Sequence, residues 1–220
     1  MYIPDEYRCS DRQKLGQVIR DNGFGTLVTG GGSGLFATQI PFLVLSEGPD
    51  TLILESHLAK ANLQWSASDA DKPAMAIFNG PHAYISPTWY GVRPFVPTWN
   101  YVTVQATGKI EWIHDVGEII GVLMRTVHYF EDQYQTAWDP GPSAEYIDRI
   151  ASGVVAFRME VTALEGAFKL GQDKAPELQD RVISNLKASG STAAEGVAQL
   201  GVGEQSSVLR RYALNASTGG

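Results

Sequence analysis

Hydrophobic and polar positions change period along this chain, and the changes predict its elements. Lys14, Leu15, Val18 and Ile19 recur at helical spacing, so a helix is expected from about Asp11 to Asn22, with Ser10 as N-cap and Gly23 and Gly25 as its stop. Short strand-like runs follow at Thr26 to Thr29, Leu35 to Leu45 and Thr51 to Glu55, separated by turns at Gly30 to Gly34 and Ser46 to Asp50. Ser56 to Trp65 reads as a short helical stretch. Strand character returns at Ala74 to Phe78 and continues to about Trp112. Asp115 then opens a long helix with Glu118 as capping-box partner and Ile119, Ile120, Leu123 and Val127 on its apolar stripe. A helix from Ala144 to Ala151, a strand from Val154 to Val161 and a helix from Pro176 to Gly190 complete the pattern. About seven antiparallel strands with regular turns and flanking helices predict a mainly β, α+β fold built on a closed or half-open barrel. One domain is expected over residues 1–190, and the Ala-, Gly- and Ser-rich residues 191–220 read as a mobile tail with at most a short helix near Val208 to Leu214.

The segment from Phe78 to Tyr101 stands apart in composition. Tyr84, Trp89 and Tyr90 precede the Gly91 turn, and Trp99 and Tyr101 follow it, interleaved with Ser86, Thr88 and Asn100. Planar side chains beside small polar ones suit a flat heteroaromatic ligand, which needs stacking area and hydrogen bonds at its rim. Core or subunit-interface packing uses the same residues equally well.

Composition narrows the function classes. The chain has 220 residues, is 44% hydrophobic and carries a formal net charge of −7. An acidic chain repels phosphate backbones, and Arg210 with Arg211 is its longest basic run, so direct DNA binding is not expected. No helix-turn-helix pattern with a basic recognition helix appears. One cysteine, Cys9, and no signal-like N-terminus point to a reduced, cytoplasmic protein; no run approaches the ~18 apolar residues of a membrane span.

Candidate chemistry is of the binding kind. If a helix starts at Ser56 and His57, its unpaired N–H groups, Lys60 and Asn62 would make an anion site, with Thr38 and Gln39 on a neighbouring strand. An ordinary solvated helix face is the alternative. Nucleophile-elbow, phosphate-loop and dinucleotide signatures are lacking, and His57, His82, His114 and His128 do not have zinc-ligand spacing, so no metal is expected. His128 and Asp132 read as a helix-surface pair and Cys9 as an inert thiol. His82, Tyr84 and Tyr101 are candidate acids or bases by residue type alone.

Six ordered motifs carry a family resemblance: Met1 to Pro4, Phe36 to Pro41, Ser56 to Trp65, Phe78 to Pro87, Val96 to Tyr101 and Glu165 to Leu170. Together they resemble the PaiB-type FMN-binding negative transcriptional regulators, whose fold is the split β-barrel of flavin reductases and pyridoxamine-phosphate oxidases. The resemblance implies a homodimer with FMN at the subunit interface. Thr38, Ser56, His57, Lys60 and Asn62 would surround the phosphate and ribityl chain. Ser86, Trp99, Asn100 and Tyr101 would lie near the ring, and Lys169 and Gln172 match the family's Lys-Leu-Ser-Gln-Asn motif. Gly171 and Asp173 replace its Ser and Asn, and an acidic group there repels a flavin's negative charge; the motif therefore either stays off the cofactor or weakens its hold. A flavin-dependent oxidoreductase using NAD(P)H or a flavin, a haem-binding split barrel, and a cofactor-free interaction module are the competing readings.

Overall fold

The computed structural model describes residues 1–32, 34–48, 51–69 and 71–217, with side chains up to Glu204. Its contacts divide into two compact units: Met1–Asp11, Asn79–Val104 and Glu165–Gly220 form the first, and Arg12–Phe78 with Gln105–Leu164 the second. Seven strands are hydrogen-bonded in the order β1-β7-β4-β3-β2-β5-β6, and β6 also pairs with β7. Their ranges are β1 Arg8–Cys9, β2 Phe24–Gly31, β3 Gly34–Glu47, β4 Leu52–Ala59, β5 Ala74–Ile85, β6 Thr98–Ile113 and β7 Val154–Lys169. The predicted mainly β, α+β architecture is the one observed.

In the second unit, β2 and β3 form a tight hairpin from the Phe24↔Pro41 pair to Gly31↔Gly34, as the glycine cluster predicts. Ser33, in the first expected turn, and Pro49 and Asp50, in the second, lie outside the described residues. Phe42, Phe78 and Phe157 form the centre of the core, with ring centroids 5.2 and 6.0 Å apart in edge-to-face arrangement about Phe42. At Gly108 the β6 backbone runs close against β7: a Cβ there would lie 2.0 Å from the Glu160 carbonyl oxygen. Helix α1, Arg12–Asp21, buries Leu15, Val18 and Ile19, the predicted stripe.

Helix α2 is a single turn, Gln64–Ala67, and α3 spans Val116–Tyr134. The Asp115 carboxylate accepts from the Glu118 N–H at 2.9 Å, so the predicted cap forms. Ile119 and Val122 of α3 pack with Ile113, Ala156 and Leu123. Under the same helix the fully buried Glu55 carboxylate accepts two hydrogen bonds from Arg125, at 2.7 and 2.8 Å, and one from Arg158 at 3.3 Å. Helix α4, Ala144–Ala151, has its predicted bounds, but Ser143 makes no side-chain cap.

The expected helix beginning at Ser56 is not formed. Strand β4 runs through Ala59, because Ser56 to Ala59 pair residue by residue with Phe157 to Val154 of β7, while Phe42 of β3 pairs with Ser56 on the other side. A strand with partners on both edges satisfies backbone groups that an isolated short helix leaves open.

In the first unit, β1 pairs Arg8 with Ala167 and Cys9 with Gly166, a bridge too short to leave a periodic signature. Helix α5, Pro176–Ala188, buries Val182 and Leu186. Thr192–Ser217, expected as a tail, forms helix α6, and its Ala194, Val197 and Ala198 are buried. Alanines of high helix propensity, spaced onto one face, supply both the helix and its contact.

Candidate functional site

The residues expected to touch a ligand separate into three environments. In the second unit, Thr38, Asn62 and Gln64 make one hydrogen-bonded group. The Asn62 amide donates to Thr38 Oγ1 at 2.9 Å, the Thr38 hydroxyl donates to Gln64 Oε1 at 2.5 Å, and Gln64 N–H donates to Asn62 Oδ1 at 2.9 Å. The buried Gln64 amide also donates to the Leu27 carbonyl and to Thr29. Gln64 is the hub that reading the motif by residue type missed; only its place between Asn62 and Trp65 hinted at it.

Lys60, exposed, follows directly after β4, and its carbonyl accepts from Trp65 Nε1 at 2.8 Å. Ser56 and His57 do not join this group together, since successive strand residues point to opposite faces. Ser56 is fully buried and its hydroxyl is spent on the Pro41 carbonyl. His57 Nδ1 is buried with no hydrogen-bond partner, and burial holds the imidazole pKa below its ordinary value. A depressed histidine stays neutral in the folded chain while the unfolded chain takes up a proton near pH 6.5. Stability is therefore expected to fall as pH drops below about 6.5, and urea unfolding of His57→Gln between pH 7.5 and 5 should show a flatter pH dependence than the parent.

In the first unit, strand alternation on β6 divides the expected ring-binding residues. Trp99 and Tyr101 point to one face, where with His82, Asn79, Gly80, Val102 and Thr103 they line an open hollow of about 430 Å³. Trp99 is 52% exposed and Tyr84 48%; their rings meet edge-on at 6.3 Å, and His82 lies 5.6 Å from Trp99. Asn100, 3% exposed, points to the other face. There a cavity of about 400 Å³ is lined by Tyr7, Tyr90, Phe95, Thr98, Asn100, Lys169 and their neighbours.

Ser86 and Gln172 have local duties. The Ser86 hydroxyl accepts from Thr88 N–H at 3.3 Å and caps the turn Pro87–Tyr90. The Gln172 amide donates to the Glu6 and Phe168 carbonyls at 3.0 and 2.5 Å and accepts from Leu170 N–H at 2.8 Å, tying down the N-terminal turn.

A chain with this barrel, an exposed aromatic hollow and a hydroxyl–amide group matches the family described as "Putative FMN-binding domain" over residues 1–163. The chain belongs to that family: it is an FMN-binding split-barrel protein of the PaiB kind, and its cofactor class is a flavin. It is 30% identical to the protease synthase and sporulation protein PAI 2 of Bacillus subtilis over 202 residues, 91% of this chain and 96% of that protein. Among solved structures, the FAD and heme binding protein of Mycobacterium smegmatis shares the fold with TM-score 0.56 at 16% identity, covering 84% of this chain and 80% of that one. The flavocytochrome Anf3 of Azotobacter vinelandii matches with TM-score 0.54 at 10% identity, over 74% and 69%. Among the described residues, no helix is long and apolar enough to cross a membrane.

Proposed function

We propose that this chain works as a homodimeric flavoprotein that binds FMN through the Trp99 face of its first unit and acts in regulation without itself gripping DNA. The observation that carries the reading is the open hollow around Trp99, because a half-exposed tryptophan, tyrosine and histidine side by side on a sheet are costly to leave in water and mark a surface that is covered in use. The residues fit the group. Trp99, His82 and Tyr101 offer planar area to the ring system, and Asn79 and Thr103 put an amide and a hydroxyl at the rim. The same aromatic surface suits a second copy of the chain, which would close the open side.

When bound, a flavin supplies hydride and electron transfer; the protein supplies orientation and exclusion of water. Trp99 and His82, tilted 44° to each other, would offer planar area to the ring, and the Asn79 amide, whose oxygen accepts from the Thr103 hydroxyl at 3.2 Å, would have its NH2 available for the polar edge. In the second unit, Lys60 and Asn62 carry donors suited to an anion, as the family resemblance implies. The regulatory reading rests on the relative named for protease synthase and sporulation. Its indirect character rests on the net charge of −7.

Titration of FMN followed by flavin fluorescence tests the site. Trp99→Ala should weaken binding about tenfold, the scale of one aromatic stacking partner, and sedimentation of the parent should report a dimer. Lys60→Ala in the same titration measures what the cation of the second unit adds. An unchanged affinity in Trp99→Ala would remove the hollow as the flavin surface, and a low-salt gel shift with duplex DNA would overturn the indirect role.

A further inference from the structure

The cavity on the Asn100 side of β6 has no part in the reading above, and its walls define a ligand of their own. Tyr90 and Phe95 stack with centroids 4.2 Å apart and planes 20° apart. Tyr90 is nearly fully buried and the Arg181 guanidinium anchors its carbonyl at 2.5 Å, so that side of the cavity is set in place. Across from it stand the Tyr7 ring and the Lys169 ammonium, 5.8 Å from the Tyr7 centroid.

Lys169 is half-buried, and its one hydrogen bond goes to the neutral hydroxyl of Thr98, at 2.8 Å. Its ion-pair partner is missing among the described residues. The other two charges nearby cancel: Lys174 Nζ lies 2.5 Å from the Asp173 carboxylate, which also accepts from the Tyr7 hydroxyl. Burial and the Asp173 charge push the Tyr7 pKa up to about 12, so the phenol stays neutral. The cavity therefore holds one uncompensated positive charge beside aromatic walls. Gly171, with φ +85°, carries the backbone past Asn100 in a conformation that suits glycine.

We propose that this cavity binds a small planar aromatic carboxylate, its ring against Tyr90, Phe95 and Tyr7 and its carboxylate on Lys169. A single lysine charge matches a single negative charge. A phosphate dianion would bring a second charge toward Asp173 and gain nothing from Lys174, which is already paired. Asp173, at the position where the resembled family has Asn, is thus the residue that sets the charge preference.

The test uses the full chain with 2-naphthoate, neutral 2-naphthamide and 2-naphthyl phosphate, each followed by fluorescence or by chemical-shift changes. Naphthoate should bind at least tenfold tighter than the amide and no weaker than the phosphate ester. Lys169→Gln should erase the preference for the acid over the amide. Asp173→Asn frees Lys174 and should shift the ratio of phosphate to carboxylate binding about tenfold toward phosphate, a gain that misfolding cannot imitate. Equal affinity for acid and amide overturns the proposal, as does an Asp173→Asn ratio identical to the parent. Displacement of naphthoate by saturating FMN also overturns it, since the cavity would then belong to the flavin; this outcome is separate from failure of the Trp99 hollow, which Trp99→Ala reads.

Discussion

Phe42→Ala is expected to cost about 4 kcal/mol of folding stability, the upper part of the range for deleting a buried aromatic ring. Phe42 is 1% exposed and makes edge-to-face contact with Phe78 and Phe157, so three strands, β3, β5 and β7, meet through its ring. Removing it leaves a void that both neighbours border, and the ladders on either side of β3 and β4 resist collapse into it. The two lost ring pairs add to the transfer term. In a chain of 220 residues, about 4 kcal/mol corresponds to a melting point lower by roughly 8–16 °C. Phe42→Leu, which retains most of the volume, should lose less than half as much. Urea unfolding decides the matter: a loss below about 1 kcal/mol for the alanine variant would mean that the ring is not the pivot of this core.

Arg125→Ala is expected to cost about 3 kcal/mol, near the lower end for breaking a buried pair because the arginine side chain is 43% exposed. The asymmetry of the pair is what makes the loss large. Glu55 is fully buried, and without Arg125 its carboxylate keeps only the 3.3 Å contact from Arg158. A buried charge with one weak partner is far worse than a buried amide. Adding Glu55→Gln to Arg125→Ala should therefore restore part of the stability, about 1 kcal/mol or more. The double variant separates a charge penalty from lost packing. If it is as unstable as or less stable than Arg125→Ala, the Arg125 stem rather than the ion pair fastens α3 to β4.

The residue types that draw attention to the candidate site carry local signals. The Phe78 to Tyr101 composition singled out Trp99, Tyr101 and Asn100, and the order of short motifs led to the family. What could not be read was the face to which each residue points. Trp99 and Asn100 are neighbours in sequence, yet the pleat sends one to the hollow beside His82 and the other to the cavity beside Lys169. Ser56 and His57 are likewise split, one fully buried and the other half-buried with an unpartnered Nδ1. Tyr7 and Lys174 gave no signal of their own, because their partners lie far along the chain or acquire meaning only with the cavity around them.

The sequence by itself determined most of the strands and helices up to Gly190, the mainly β fold class, the cap at Asp115, the helix start at Pro176, and the family, since these depend on periodicity, turn chemistry and short ordered motifs. Tertiary structure decided where β4 ends, whether residues 192–217 are helical, and how the aromatic segment divides into two surfaces. Those outcomes depend on partners distant in sequence. Pairing with β7 extends β4 past Ser56, and contact with the first unit's interior gives Ala194, Val197 and Ala198 of α6 a reason to be buried. Local propensity is worth tenths of a kcal/mol per residue, and burial against a distant partner is worth several times more.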